Sequence, residues 1–166
     1  MQKRYVILIA FSALIVALDQ LVKMYIHLHY QVGESVPVIP GFFNITYVRN
    51  PGAAFGFLAQ THPDFRETFF LLMPPVALIV ILLIMRTVSE ADYVQIFSLS
   101  SVFGGAIGNY IDRLQFRYVI DFLDFHWKEL YTYPAFNVAD SAIVVGIGVL
   151  ISLMLLENKS KHQNAT

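Results

Sequence analysis

The sequence predicts an all-α membrane protein, four transmembrane helices with a small sheet and an interfacial helix on one face, forming a single integral-membrane domain over residues 1–166. Three observations lead there. The chain is 57% hydrophobic and only 14% charged, with a mean hydropathy of +0.60 and a formal net charge of -1, which is too apolar for an ordinary soluble domain. Four apolar segments, at about 5–26, 69–85, 93–111 and 138–156, are each long enough to cross a bilayer. The chain length accommodates those spans and one modest extramembrane insertion, and leaves no room for a second domain.

The first segment follows Lys3-Arg4 and also reads as a signal peptide. No small-residue cleavage site follows, however, and apolar residues resume after Asp19. The second contains Pro74-Pro75, which is expected to bend or locally unwind a helix without ending the span, because proline removes a donor and crowds the preceding turn. Lys3, Arg4, Arg86, Lys159 and Lys161 fall on one side of the membrane. Arg49, Arg66, Arg113, Arg117 and Lys128 fall on the other, so basic charge does not separate the sides. Lys3-Arg4 immediately before the first span favours cytoplasmic termini. Residues of about 27–68 and 112–137 then lie on the outer face.

The outer insertion 27–68 holds Val36-Pro-Val-Ile-Pro40, Gly41-Phe-Phe-Asn-Ile-Thr-Tyr-Val48 and Asn50-Pro-Gly-Ala-Ala-Phe-Gly-Phe57, β-branched and aromatic residues between turn formers. It reads as a small sheet resting in the headgroup layer. The second outer segment, with Phe122, Phe125, Trp127, Tyr131 and Tyr133, is expected to include a short interfacial helix. Polar residues after Glu157 form a frayed tail.

An ionised carboxylate at the centre of a bilayer costs roughly 2.5–3.5 kcal/mol on insertion scales, so acids beside spans need a use. Asp19 and Lys23 are four residues apart on one helix face, and read first as an ion pair that makes the helix end tolerable. In Gly104-Gly-Ala-Ile-Gly-Asn-Tyr-Ile-Asp-Arg113, Gly104 and Gly108 admit a neighbouring backbone, while Asn109, Asp112 and Arg113 leave the helix together. Arg113 has the planar donors to hold a carboxylate or a peptide carbonyl. Asn137 and Asp140 have the spacing of a capping box, and Asp140 also enters a span. Asn50-Pro-Gly52 reads first as a turn.

Two carboxylates facing one another share a proton and supply one acid and one base, which suits hydrolysis of a peptide by an activated water. No cysteine is present, and neither an H-E-x-x-H zinc site nor a G-x-S-x-G elbow occurs. His27 and His29 are two apart, a poor spacing on a helix face. No cofactor or metal is expected, and the near-neutral charge argues against nucleic acid as a partner. These residues alone leave open whether Asp121 or Asp124 partners Asp140.

Asp19-Gln-Leu-Val-Lys23, Tyr47-Val-Arg-Asn-Pro-Gly-Ala-Ala-Phe55, the run from Gly104 to Arg113, Val119-Ile-Asp-Phe122 and Pro134-Ala-Phe-Asn-Val-Ala-Asp-Ser141 resemble, in order, the motifs of lipoprotein signal peptidase, also called signal peptidase II. The resemblance implies an aspartyl protease of the bacterial inner membrane. Its members remove signal peptides from diacylglyceryl-modified prolipoproteins, cut just before the lipidated cysteine, and are blocked by globomycin. It implies Asp121 and Asp140 as the catalytic dyad, with Asp124 outside the motif. Asn109, Arg113 and Asn137 would orient dyad and substrate, and Asp19, Lys23, Asn50 and Asp112 would support the surroundings. It further implies an extracytoplasmic β-cradle from the first outer segment and a mobile interfacial helix from the second, clasping the substrate. Membrane lipid is the expected surrounding partner and a monomer the expected state. The rival readings are a small transporter or proton-relay subunit, against which no inverted repeat is apparent, and a lipid-binding scaffold.

Overall fold

The computed structural model describes residues 2–52, 61–127 and 131–163, the last seven of these without their side chains. Four long helices carry the chain. α1 is Lys3–His29, and its 27 residues extend over about 40 Å, more than the hydrocarbon thickness, so its polar ends emerge. α2 is Pro63–Thr87; proline at its start costs no hydrogen bond, and Asp64 in the first turn suits the helix dipole. It runs through Pro74-Pro75 without interruption.

α3, Tyr93–Phe116, begins at an Asp92 cap that accepts the Gln95 amide at 3.0 Å, and ends at Arg117, whose φ of 65° is left-handed. α4 is Val138–Gln163. Among the described residues, three helices are by length and composition apolar enough to cross a membrane: Lys3–His29, Pro63–Thr87 and the Val138–Leu156 part of α4. α3 is the exception. Its polar and small residues Ser98, Ser100, Gly104, Gly105, Gly108, Asn109 and Asp112 are buried, because α3 packs between α1 and α4 and turns those residues to its neighbours instead of to lipid.

A four-stranded sheet, in the order β1-β2-β3-β4, lies at the end of the bundle where α1 and α3 finish and α4 starts. β1 is Ser35–Ile39, β2 Phe43–Asn50, β3 Val119–Trp127 and β4 Tyr131–Thr132, each antiparallel to its neighbour. The molecule is thus mostly helical with a small sheet, and in the segment expected to carry an interfacial helix the described residues 119–127 and 131–132 are strand. The 119–127 stretch finds ladder partners along β2, from Phe43 opposite Phe125 to Asn50 opposite Val119, which satisfies backbone groups that a helix would have bonded internally. Residues 128–130 of that segment, and the 53–60 stretch after the Asn50 turn, lie outside the described residues.

Two connections set the position of the chemistry. The β2–β3 register shifts between Ile45 and Val48, placing one extra residue on β2 and twisting its end. Beyond β4, Phe136 returns to β3: its carbonyl accepts the amides of Phe122 at 3.0 Å and Leu123 at 2.8 Å, and its own amide donates to the Leu123 carbonyl at 3.1 Å. The first residues of α4 are thereby tied directly to β3.

One apolar cluster, Leu8, Ile81, Met85, Val88, Ile96 and Leu99, joins α1, α2 and α3 at the end opposite the sheet. There Arg4 donates to the Arg86 and Val88 carbonyls at 2.9 and 2.6 Å, closing the C-terminal end of α2. A second cluster, Ile26, Tyr47, Ile120 and Phe122, fastens α1 to β2 and β3.

Candidate active site

Three glycines let α3 approach its neighbours. A Cβ at Gly104 would lie 2.9 Å from the Ser12 Cα of α1, and one at Gly108 would lie 2.7 Å from Asp19 Oδ2. A Cβ at Gly105 would strike the Ala139 carbonyl oxygen of α4. The pair Gly104 and Gly108 was legible as a close-approach motif, whereas Gly105, which faces a different helix, was not.

The approach brings acid, base and amide groups into one buried network. Lys23 Nζ lies 2.8 Å from Asp19 Oδ2 and 3.0 Å from Asp112 Oδ2, and donates to Asn109 Oδ1 at 2.9 Å. An ammonium has three protons, and these three partners account for them. Asp19 Oδ1 accepts the Ala139 amide at 2.9 Å and so holds the N-terminus of α4, while Asp112 Oδ2 accepts the Ile120 amide of β3 at 3.0 Å. The Asp19–Lys23 pair therefore forms as the sequence suggested and reaches two further elements. Gln20, passed over at the sequence level, donates to Asp112 Oδ1 at 2.9 Å and to the Gly108 carbonyl at 3.1 Å. Its only signal was its place beside Asp19.

Asn137 caps α4: its Oδ1 accepts the Asp140 amide at 2.8 Å, three residues on. Its Nδ2 donates to Asp121 Oδ1 at 2.7 Å and to Asn109 Oδ1 at 3.1 Å. Asn109 Nδ2 in turn donates to Asp140 Oδ1 at 2.7 Å. On the other side, Asn50 Nδ2 donates to Asp121 Oδ2 at 2.9 Å, and Asn50 Oδ1 accepts the Gly52 amide at 3.0 Å, closing the expected turn. Asp121 and Asp140 are thus joined through two asparagine amides.

Asp124 stands elsewhere. It is opposite Asn44, whose Nδ2 donates to it at 3.3 Å, and it lies 4.0 Å from His126 Nδ1. A three-residue offset along a strand sends it to the other face from Asp121.

Asp121 is 1% exposed. Burial first, and the neighbouring Asp140 charge second, push its carboxyl up to about 7, against the opposing pull of the Asn50 and Asn137 donors. Arg113 completes the surroundings: its guanidinium is within the field of the Asp140, Asp121 and Asp112 carboxylates, its Nη2 donates to the Gly52 carbonyl at 3.3 Å, and it lies over Phe70 of α2, 4.9 Å from the ring centroid. A cleft lined by Pro51, Glu67, Phe70, Leu71, Arg113 and Arg117 opens beside it.

Residues 11–156 match the family model described as Signal peptidase (SPase) II. The chain belongs to the signal peptidase II family. Membership makes it a peptidase and a bacterial membrane protein, in keeping with its apolar helices. Proteins named lipoprotein signal peptidase are similar over nearly the whole length. That of Syntrophus aciditrophicus (strain SB) is 45% identical, over 97% of this chain and 99% of the relative. That of Coxiella burnetii (strain RSA 493 / Nine Mile phase I) is 42% identical over 91% of each. Among solved structures, one titled "Bacterial membrane enzyme structure by the in meso method at 2.3 A resolution" superposes with a TM-score of 0.83 at 32% identity, covering 93% of this chain and 90% of that one. In signal peptidase II terms, described residues from each of the five motifs, Asp19, Asn50, Asn109, Asp121 and Asn137 among them, meet at the sheet end of the bundle.

Proposed function

We propose that this signal peptidase II cleaves diacylglyceryl-modified prolipoproteins immediately before the lipidated cysteine, with Asp121 and Asp140 activating one water. The observation that carries this reading is the amide bridge: Asn137 to Asp121 at 2.7 Å, Asn137 to Asn109 at 3.1 Å and Asn109 to Asp140 at 2.7 Å.

The two acids are not equivalent. Asp121 lies almost fully buried, with its carboxyl raised to about 7, and serves as the neutral acid. Asp140 is in the first turn of α4, where the helix dipole favours negative charge, and serves as the ionised base. Asp140 takes a proton from water as the water oxygen attacks the scissile carbonyl, and Asp121 gives its proton to the carbonyl oxygen. On collapse, Asp140 returns its proton to the departing amine and a diol hydroxyl re-protonates Asp121. Both acids end as they began. Arg113 anchors the Gly52 backbone at the rim and contributes positive charge to the dyad, while Asn50, Asn109 and Asn137 orient the carboxylates and Asp19, Lys23 and Asp112 hold the elements that carry them.

The same reading makes α3 a fourth span, places both termini in the cytoplasm of the inner-membrane assembly, and sets the sheet as a cradle at the outer surface. The protein acts as a globomycin-sensitive monomer, with no metal. Its substrate keeps its acyl chains in the bilayer while the scissile bond meets the dyad at the edge. The test uses purified protein in detergent with a synthetic lipidated precursor, reading the released peptide by mass. Cleavage that persists with a chelator, stops with globomycin and is lost in Asp121→Asn and Asp140→Asn is expected. Undiminished turnover by either variant, or equal cleavage of a precursor without lipid, overturns the reading.

A further inference from the structure

Each asparagine around the dyad is held in one amide orientation by a group that can only donate. The Gly52 amide fixes Asn50 Oδ1 and the Asp140 amide fixes Asn137 Oδ1, at 3.0 and 2.8 Å. At Asn109 that part is taken by the Lys23 ammonium, 2.9 Å from Oδ1. A flipped Asn109 would set its NH2 against the ammonium and against Asn137 Nδ2, and its carbonyl against Asp140 Oδ1, turning three hydrogen bonds into repulsions. With Oδ1 committed, Nδ2 faces Asp140 Oδ1 at 2.7 Å. Asp121 is engaged on both oxygens, by Asn137 and Asn50. Among the described residues, this leaves Asp140 Oδ2 as the dyad oxygen with no protein donor.

Building on the proposed roles of Asp121 and Asp140, we propose that Lys23 is a positioning residue for the reaction, acting through Asn109 to engage Asp140 Oδ1 and reserve Oδ2 for the attacking water. Lys23 itself is buried, 1% exposed, and distant in sequence from every residue of the dyad. Its charge is balanced by Asp19 and Asp112, at 2.8 and 3.0 Å, so what it delivers to Asn109 is direction more than net charge. An ordinary buried ion pair would need only one carboxylate; here one donor is spent on an amide that touches the dyad.

Lys23→Met removes the donor but also a charge, and Asp19→Asn with Lys23→Met restores the balance, since one acid and one base are neutralised together. The Asp19→Asn side chain retains a carbonyl for the Ala139 amide. Both variants are expected to lower kcat by about a hundredfold while KM for the lipidated precursor stays near that of the unaltered enzyme, since substrate binding does not use Asn109 Oδ1. A lowered active fraction would also lower apparent kcat with KM unchanged, so it is separated by melting temperature and by the folded, monodisperse fraction of each purified variant. Recovery of full kcat in the charge-matched double variant overturns the inference, because the effect of Lys23 would then be its charge alone. Should neither variant fold, Asn109→Asp decides: it strengthens the Lys23 contact while placing an acceptor against Asp140 Oδ1. Loss of kcat with KM retained supports the relay, and unchanged kcat overturns it. Retained cleavage by Asp140→Asn would instead remove the dyad reading on which the inference stands, a result distinct from an inert Lys23.

Discussion

At Asp121 a carboxyl is kept nearly out of water, 1% exposed, beside a second acid. Its pKa is raised from 3.8 to about 7, so the folded state holds a proton that the unfolded chain releases between those values. The sign follows: Asp121 costs no stability below the unfolded value and progressively more as pH rises through about 7. The melting temperature should therefore decline as pH climbs across that window, and Asp121→Asn should flatten the decline, most visibly on its alkaline side. Because the neutral form is the acid in the proposed mechanism, kcat/KM, which reports the free enzyme, should also fall as pH rises through about 7. A kcat/KM profile that keeps rising there would assign the acid elsewhere. Asp124 supplies the contrast: it answers to Asn44 and His126, and Asp124→Asn should leave turnover near that of the unaltered enzyme.

The start of α4 shows how one residue serves folding and chemistry at once. Asn137 caps the helix through Oδ1 and reaches Asp121 through Nδ2. Asn137→Ser keeps an oxygen for the cap but leaves the buried Asp121 and Asn109 oxygens without its amide donor, so it should cost about 1–3 kcal/mol of stability and lower kcat by about a hundredfold. Thermal melts and turnover measured together separate the two functions. Gly105→Ala tests the α3–α4 approach, because its Cβ would meet the Ala139 carbonyl; a loss of about 1–3 kcal/mol is expected. The helices were readable from apolar length, and the Asn137–Asp140 cap and Asp19–Lys23 pair from spacing, because each is local along the chain. The 119–127 strand was not legible because its aromatic residues suit an interfacial helix and a strand alike, and only the β2 edge, distant in sequence, decides for these residues. Gln20 and the Ile120 amide were likewise invisible, since their partners lie on other elements.

For the whole molecule, orientation is the physical variable that basic charge leaves balanced. The absence of cysteine allows a direct measurement. Val38→Cys on β1, 54% exposed, should react with a membrane-impermeant maleimide added outside intact cells, while Ala91→Cys between α2 and α3 should react only after lysis. The opposite pattern would invert the topology. In α2, the buried positions are Ile81 and Met85, both near its C-terminal end, where Arg4 closes the helix; no residue from Pro63 to Val80 is buried. Among the described residues, the half nearest the dyad packs loosely, meeting α3 at Phe70 and Arg113, and in the proposed bilayer setting its open flank faces lipid. A greasy, doubly acylated substrate diffusing within its leaflet can slip past that flank without ever leaving oil, so solubility in water never enters its rate of arrival.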